Sequence, residues 1–196
     1  VKHIITELEL KSPCIITGGG QIFDPEKNKI VWEKLIEYKD IELILETAEK
    51  LGIQIFDDES SKSHFNKKIK KLRDYKKRGP VQFWSPSLSE KLSKNFLEKL
   101  SNIKSISAVE IPSWRTNALD ILISHAQATK QHGILEVAKL LNISTYEIIG
   151  VGDGYNDFPL LMACGLKVAM GNAVEDLKEI ADYIAPTVDE DGVADV

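Results

Sequence analysis

Gly152-Asp153-Gly154-Tyr155-Asn156-Asp157 puts two carboxylates and an amide on one short turn, between the apolar run Tyr146 to Val151 and the segment Phe158-Pro159-Leu160-Leu161-Met162. Asp153 and Asp157 have Gly154 between them, so the backbone can turn sharply while both side chains converge. Convergent oxygen ligands suit a hard cation. The same Asp and Asn residues would also cap a helix opening at Phe158, since both types are strong cap formers. Downstream, Leu166 to Met170 reads as a second strand ending in Gly171-Asn172-Ala173, with Asn172 either the N-cap of a helix over 173–180 or a group facing a ligand. In an open α/β sheet, ligands bind beyond the carboxyl ends of the strands, so two successive strands delivering polar groups to one edge predict a site there.

The elements that must hold these residues alternate from Lys130 onward. Ile134, Val137, Ala138 and Leu141 make a helical stripe before the strand that carries Asp153, and helix–strand alternation predicts a parallel sheet. Upstream the pattern differs. Cys14 to Thr17 is a short β-type run closed by Gly18-Gly19-Gly20, followed by a hairpin over Gln21 to Pro25 and Lys29 to Trp32. Ile41, Ile44, Leu45, Ala48 and Leu51 recur at helical spacing, with Gly52 as a stop and Ile53 to Ile55 as a strand. Val81 to Trp84 reads as a strand. Ser87 and Glu90 have the spacing of a capping box ahead of a helix through Leu92, Phe96, Leu100 and Ile103, and two strands follow over 105–111 and 118–125. The middle of the chain is therefore α+β, inserted into an α/β unit whose boundaries fall near the glycine triplet and near Ala126 to Thr129.

With 196 residues and 43% hydrophobic content, the chain can bury a sizeable core. No apolar run approaches bilayer length and Val1 to Leu8 lacks the organisation of a signal peptide, so the expected setting is the cytoplasm, with no membrane partner. Cys14 and Cys164 lie in apolar surroundings and read as packed thiols. A net charge of −5 argues against a nucleic-acid partner. The dense basic block over 67–78 reads as a solvated helix face, with an anionic-ligand surface as the alternative.

Four segments in order resemble the haloacid dehalogenase-like (HAD) hydrolases, in particular the Cof-type sugar-phosphatase branch: Ala128 to Ile134 around Lys130, Gly152 to Asp157, Val168 to Ala173, and Asp189 to Ala194. The resemblance implies an α/β fold with a HAD-like Rossmannoid parallel-sheet core over 1–18 and 126–196, N-terminally incomplete, and an α+β C2-type cap over 19–125. It implies a phosphatase that uses Mg²⁺ and an aspartyl-phosphate on a small phosphorylated substrate such as a sugar phosphate. By resemblance Lys130, Asn156 and Asp157 are catalytic. Asp153 is a direct metal ligand, while Asp157 holds a metal-bound water or Lys130. Asn172, Gly18 and Gly19 stand on the substrate side, although Gly18 replaces the Asn usual in that turn.

The family's Asp-x-Asp nucleophile belongs to a strand that does not precede Cys14 here, so the chain is expected to be cut at the front and a poor catalyst alone. Asp189-Glu190-Asp191 has the spelling of that motif, and a circular permutation would be needed to bring it beside Asp153. Pro186 argues against a central strand leading into it. A phosphosugar mutase of the same superfamily and a non-catalytic phosphate-ligand or protein-binding module are the alternative functions. Substrate identity and oligomeric state are not written in these patterns. Trp84, Trp114 and Arg115 are candidate cap contacts that read first as core or surface.

Overall fold

The computed structural model describes residues 2–57, 68–69, 79–113 and 117–196. Two compact units emerge, Val1–Lys29 with Thr129–Val196, and Ile30–Ala128. The chain passes in order through α1 (Lys2–Glu7), β1 (Cys14–Ile16), β2 (Gln21–Asp24) and β3 (Lys29–Glu33). Then come α2 (Tyr38–Lys50), β4 (Ile55–Asp57), β5 (Lys68–Ile69), β6 (Gln82–Leu88), α3 (Glu90–Leu100), β7 (Ile106–Pro112) and β8 (Leu119–His125). It closes with α4 (Lys130–Leu141), β9 (Ile149–Gly152), α5 (Phe158–Ala163), β10 (Leu166–Ala169), α6 (Glu175–Glu179) and β11 (Tyr183–Ile184).

In the first unit β9, β10 and β11 form a parallel sheet in the order β11-β10-β9. The register pairs Ala169 with Gly152, so the two strand ends that precede the candidate turns lie side by side. Apolar residues on the strands and their crossovers make the core: Leu161, Val168, Ala169, Leu177 and Ala185 are all buried. Strands flanked by crossover helices need such near-continuous apolar runs. Within the apolar run Tyr146 to Val151 the strand begins at Ile149. Ser144 caps a 3-10 turn over Thr145–Glu147, with the Ser144 N–H donating to Glu147 Oε2 at 2.8 Å. β1 and β2 pair antiparallel with Cys14 opposite Phe23, which keeps the strand after the glycine triplet in this unit.

The second unit is a five-stranded antiparallel sheet in the order β5-β4-β6-β8-β7, with α2 and α3 packed on it. Ile41, Ile44 and Ala48 of α2 and Phe96 and Leu100 of α3 meet Ile55, Phe83, Ile121 and Ile123 of the strands in one buried cluster. The capping-box reading at Ser87 is corrected. Ser89 is the N-cap of α3, accepting the Leu92 N–H, whereas Ser87 lies in β6 at φ 59, in an irregularity between Ser85 and Leu88. The buried Asp120 carboxylate decides this: it accepts the Ser87 N–H and the Trp84 indole N–H, both at 2.9 Å, and so holds the distorted stretch within the sheet. Within the basic block, Lys68–Ile69 form a strand paired with β4 rather than the helical turn their spacing predicts; the rest of that block, with Trp114 and Arg115, lies outside the described residues. Among the described residues, no helix is long and apolar enough to cross a membrane.

Candidate functional site

The first unit brings Lys130, Asp153 and Asp157 together at the carboxyl end of β9. After Gly152 the chain makes a 3-10 turn over Tyr155–Asp157 and enters α5 with Pro159 in its first turn, where proline's missing N–H costs nothing. This turn folds the Asp157 side chain back on its own start. Asp157 Oδ2 accepts the N–H groups of Asp153 at 3.0 Å and Gly154 at 3.1 Å, and Oδ1 takes the Lys130 ammonium. The side chain of Asp157 is 4% exposed and that of Lys130 35%, so the pair is a carboxylate under cover beneath an ammonium that reaches solvent. Burial alone would raise the Asp157 pKa, but the Lys130 hydrogen bond, the two backbone N–H groups and the nearby positive charge outweigh it and hold it below the ordinary carboxylate value.

Lys130 is placed by the start of α4. Thr129 is the N-cap of that helix: its hydroxyl accepts the His132 N–H at 3.3 Å and shares a second hydrogen bond with His132 Nδ1 at 2.8 Å. Lys130 therefore occupies the first helical position, and its side chain reaches Asp157 in the turn after β9.

The residues predicted for the site separate into distinct roles. Of the two roles left open for Asp157, holding Lys130 is the one seen, and its oxygens are already committed to three donors. The Asp153 carboxylate is exposed and has no hydrogen-bond or ion-pair partner among the described residues. Asn156 is exposed on the same turn. Asn172 does not cap α6, whose N-cap is Val174; its Oδ1 accepts the Val188 N–H at 3.0 Å and so ties down the chain's tail. Gly18 is exposed at φ 63, and Gly19 is buried at φ 105 against the start of α4 rather than open to a ligand. The two strand-end loops are also joined through the backbone, because Val174 N–H donates to the Asp153 carbonyl at 3.0 Å and Met170 N–H to the Gly152 carbonyl at 2.9 Å.

Two supporting residues escape a reading by side-chain chemistry. Thr129 positions Lys130, and the only sequence signal is a cap type three residues before His132. Gly152 makes room for Asp157, and a glycine at a strand end carries no signal of that kind.

A family model described as haloacid dehalogenase-like hydrolase matches residues 53–196, most of the chain. The chain belongs to the haloacid dehalogenase-like hydrolases. Among its relatives in this family, phosphatase YwpJ of Bacillus subtilis is 49% identical over 72 residues, 37% of this chain and 25% of YwpJ. The matched stretch thus spans only a quarter of that relative. The 5-amino-6-(5-phospho-D-ribitylamino)uracil phosphatase YcsE of B. subtilis is 25% identical over 193 residues, 98% of this chain and 74% of YcsE. The fold is that of a haloacid dehalogenase-like hydrolase from Bacteroides thetaiotaomicron, with a TM-score of 0.81 at 20% identity over 99% of this chain and 79% of that one.

For a HAD hydrolase site the donor chemistry is informative. Asp153 offers hard oxygens not engaged by any donor among the described residues, whereas Asp157 is spent on Lys130 and the turn. So sparse a protein donor set fits a small hard cation that keeps most of its waters and is held by one or two carboxylates together with phosphate oxygens.

Proposed function

We propose that this chain supplies the lysine and metal-binding part of the site of a magnesium-dependent phosphatase directed at a small phosphorylated metabolite such as a sugar phosphate. The observation that carries the reading is the buried Asp157 carboxylate holding the Lys130 ammonium beside the exposed carboxylate of Asp153. Phosphoryl transfer asks little covalent work of the protein and depends on positioning and charge neutralisation, which is what these groups supply. A lysine is a compact cation with three donors, suited to the oxygens of a phosphoryl group. With one hydrogen committed to Asp157, the ammonium keeps others to donate, and the carboxylate beneath it holds it in place.

Asp153 would hold Mg²⁺, which when bound supplies positive charge to phosphate oxygens. Asp157 serves both groups indirectly, fixing Lys130 through one oxygen and the Asp153 backbone through the other. Asn156, exposed on the same turn, would help orient the site. The likeness to YwpJ and YcsE, both phosphatases, supports the class, and the name of YcsE supports a small phosphorylated metabolite as the kind of substrate.

The test is phosphate release from a panel of small phosphate esters, with and without Mg²⁺, for the full reading frame, for its Lys130→Ala and Asp153→Asn variants, and for this chain alone. The expectation is release by the full reading frame that needs Mg²⁺ and falls about a hundredfold or more in each variant, with little release by this chain alone, which lacks the Asp-x-Asp motif ahead of Cys14. Release that ignores both substitutions would refute the reading. Orthophosphate binding without release would leave a phosphate-binding module, and an isomerised sugar phosphate among the products would identify a mutase.

A further inference from the structure

Gly19 lies outside the lysine–aspartate pair yet touches the backbone on which the pair depends. It is buried at φ 105, and a β-carbon there would fall on the carbonyl carbon and oxygen of Thr129 and on the backbone nitrogen of Lys130. These are peptide atoms of the N-cap and the first residue of α4, so no flexible side chain can yield. The contact is two-sided. Gly133, one turn into α4, faces the same segment: its missing β-carbon would lie 2.8 Å from Ile15 Cγ2 and 3.5 Å from the Gly19 carbonyl oxygen. A glycine on each element lets the turn over Thr17–Gly19 and the first turn of α4 meet backbone to backbone.

We propose that the turn Thr17–Gly19 positions Lys130, with Gly19 as the positioning residue that sets the height of the Thr129–Lys130 peptide relative to β9, and hence whether the ammonium reaches Asp157. The inference rests on the phosphatase reading for the role of Lys130, but it concerns a different group. Gly19 presents neither side chain nor open surface to a ligand, and it acts through where α4 begins. A substitution at Gly19 must push that peptide away, and displacing a charged donor by even an ångström weakens its hold on an anion.

The experiment is a double-mutant cycle on inorganic phosphate binding, measured by calorimetry with Mg²⁺ present, on the chain and its Gly19→Ala, Lys130→Ala and Gly19→Ala/Lys130→Ala forms. Circular dichroism scores the folded fraction. Gly52→Ala serves as the strain control, because Gly52 also has positive φ, at +68, but has open space where the β-carbon would stand. Expected are a loss of about tenfold or more in phosphate affinity for Lys130→Ala, a similar loss for Gly19→Ala, and no further loss in the double variant. Gly52→Ala binds like the parent. Should Gly19→Ala not fold, Gly133→Ala presses on Ile15 of β1, just ahead of that turn, and about a threefold loss that vanishes in the Lys130→Ala background carries the same expectation.

The outcomes separate cleanly. No phosphate binding by the parent chain, or binding indifferent to Lys130→Ala, overturns the phosphatase reading. A loss in Lys130→Ala with none in a folded Gly19→Ala or Gly133→Ala, or losses that simply add in the double variant, overturns the positioning role alone.

Discussion

Gly152 leaves the space that Asp157 fills: a β-carbon on Gly152 would stand 2.5 Å from Asp157 Cβ and 2.9 Å from its carboxyl carbon. Asp157 can therefore fold back under the strand end, present one oxygen to the Asp153 and Gly154 N–H groups, and keep the other for Lys130. Both residues are buried, so neither side can shift into solvent. Gly152→Ala is expected to destabilise the first unit by about 1–3 kcal/mol, the usual cost of overpacking, and to separate Lys130 from Asp157. Urea unfolding gives the first quantity. Unchanged stability would mean that the turn relaxes freely, against the contact seen here.

The pH dependence of stability follows from the same carboxylate. Asp157 has a folded pKa below its ordinary 3.8, because Lys130 and two backbone N–H groups overcome the effect of burial. A group depressed on folding stabilises the native state above the unfolded value, and that contribution is lost as pH falls from there through the folded value. Stability should thus be insensitive to this group at neutral pH and fall below about pH 4. In Asp157→Asn that part of the acid slope disappears, and stability at pH 7 is already lower by about 1–3 kcal/mol, because Lys130 faces an amide. Melting curves from pH 3 to 7 for both forms measure the difference.

Much of this was legible from the residues alone, for identifiable reasons. The Gly152 to Asp157 turn is a run of acids and glycines at the end of an apolar strand, and such punctuation survives without any tertiary information. Lys130 was legible only through its resemblance to a family segment, since a lysine at a helix start is ordinarily a solvated charge. What stayed hidden depends on partners distant in sequence. Ser87 has the letters of a cap, yet Asp120 of a neighbouring strand takes its N–H and holds it in β6. Asn172 also has the letters of a cap, but Val188 claims its oxygen. Gly19 reads as a ligand loop until Thr129 is found against it.

Asp153 contrasts with Asp157 in a way that isolates a metal role. Its carboxylate is exposed and engaged by no donor among the described residues, so Asp153→Asn should change stability by no more than about 0.5 kcal/mol. The same change replaces a charged ligand with a neutral one and is expected to lower Mg²⁺ affinity about tenfold or more. Calorimetric titration with Mg²⁺, read beside the melting temperature, distinguishes the two effects. Retained affinity would remove Asp153 from the metal site.

Asp120 supports the second unit as Asp157 supports the first. It is buried and accepts the Trp84 indole N–H and the Ser87 backbone N–H, so Asp120→Ala strands two donors inside the sheet. The expected cost is about 1–3 kcal/mol, from two half-buried donors that lose their acceptor. Trp84, whose ring lies 5.6 Å from that of Phe56, should report the change in its fluorescence. A variant with parental stability and an unchanged Trp84 signal would show that water replaces the carboxylate at no cost.

The tail motif Asp189-Glu190-Asp191 is distinguished from a nucleophile by where its strand lies. β11, which leads towards it, pairs with β10, and β10 stands between β11 and β9, so strand adjacency does not bring Asp189 to the Asp153 turn. Asp189 itself is exposed on a 3-10 turn past Pro186, and Asp191 ends that turn at φ 56. The acid that matters there is Glu190, whose Oε2 takes the Thr187 N–H at 3.0 Å and the Thr187 hydroxyl at 2.7 Å. Asp189→Asn is therefore expected to leave phosphate binding and any phosphate release unchanged, while Glu190→Ala frees the Thr187 N–H and hydroxyl and lowers the melting temperature slightly. Phosphate-release assays and melting temperatures on both variants check this. If Asp189→Asn abolished release while phosphate still bound, Asp189 would have to be the attacking carboxylate, and the sheet order described here would have to be wrong.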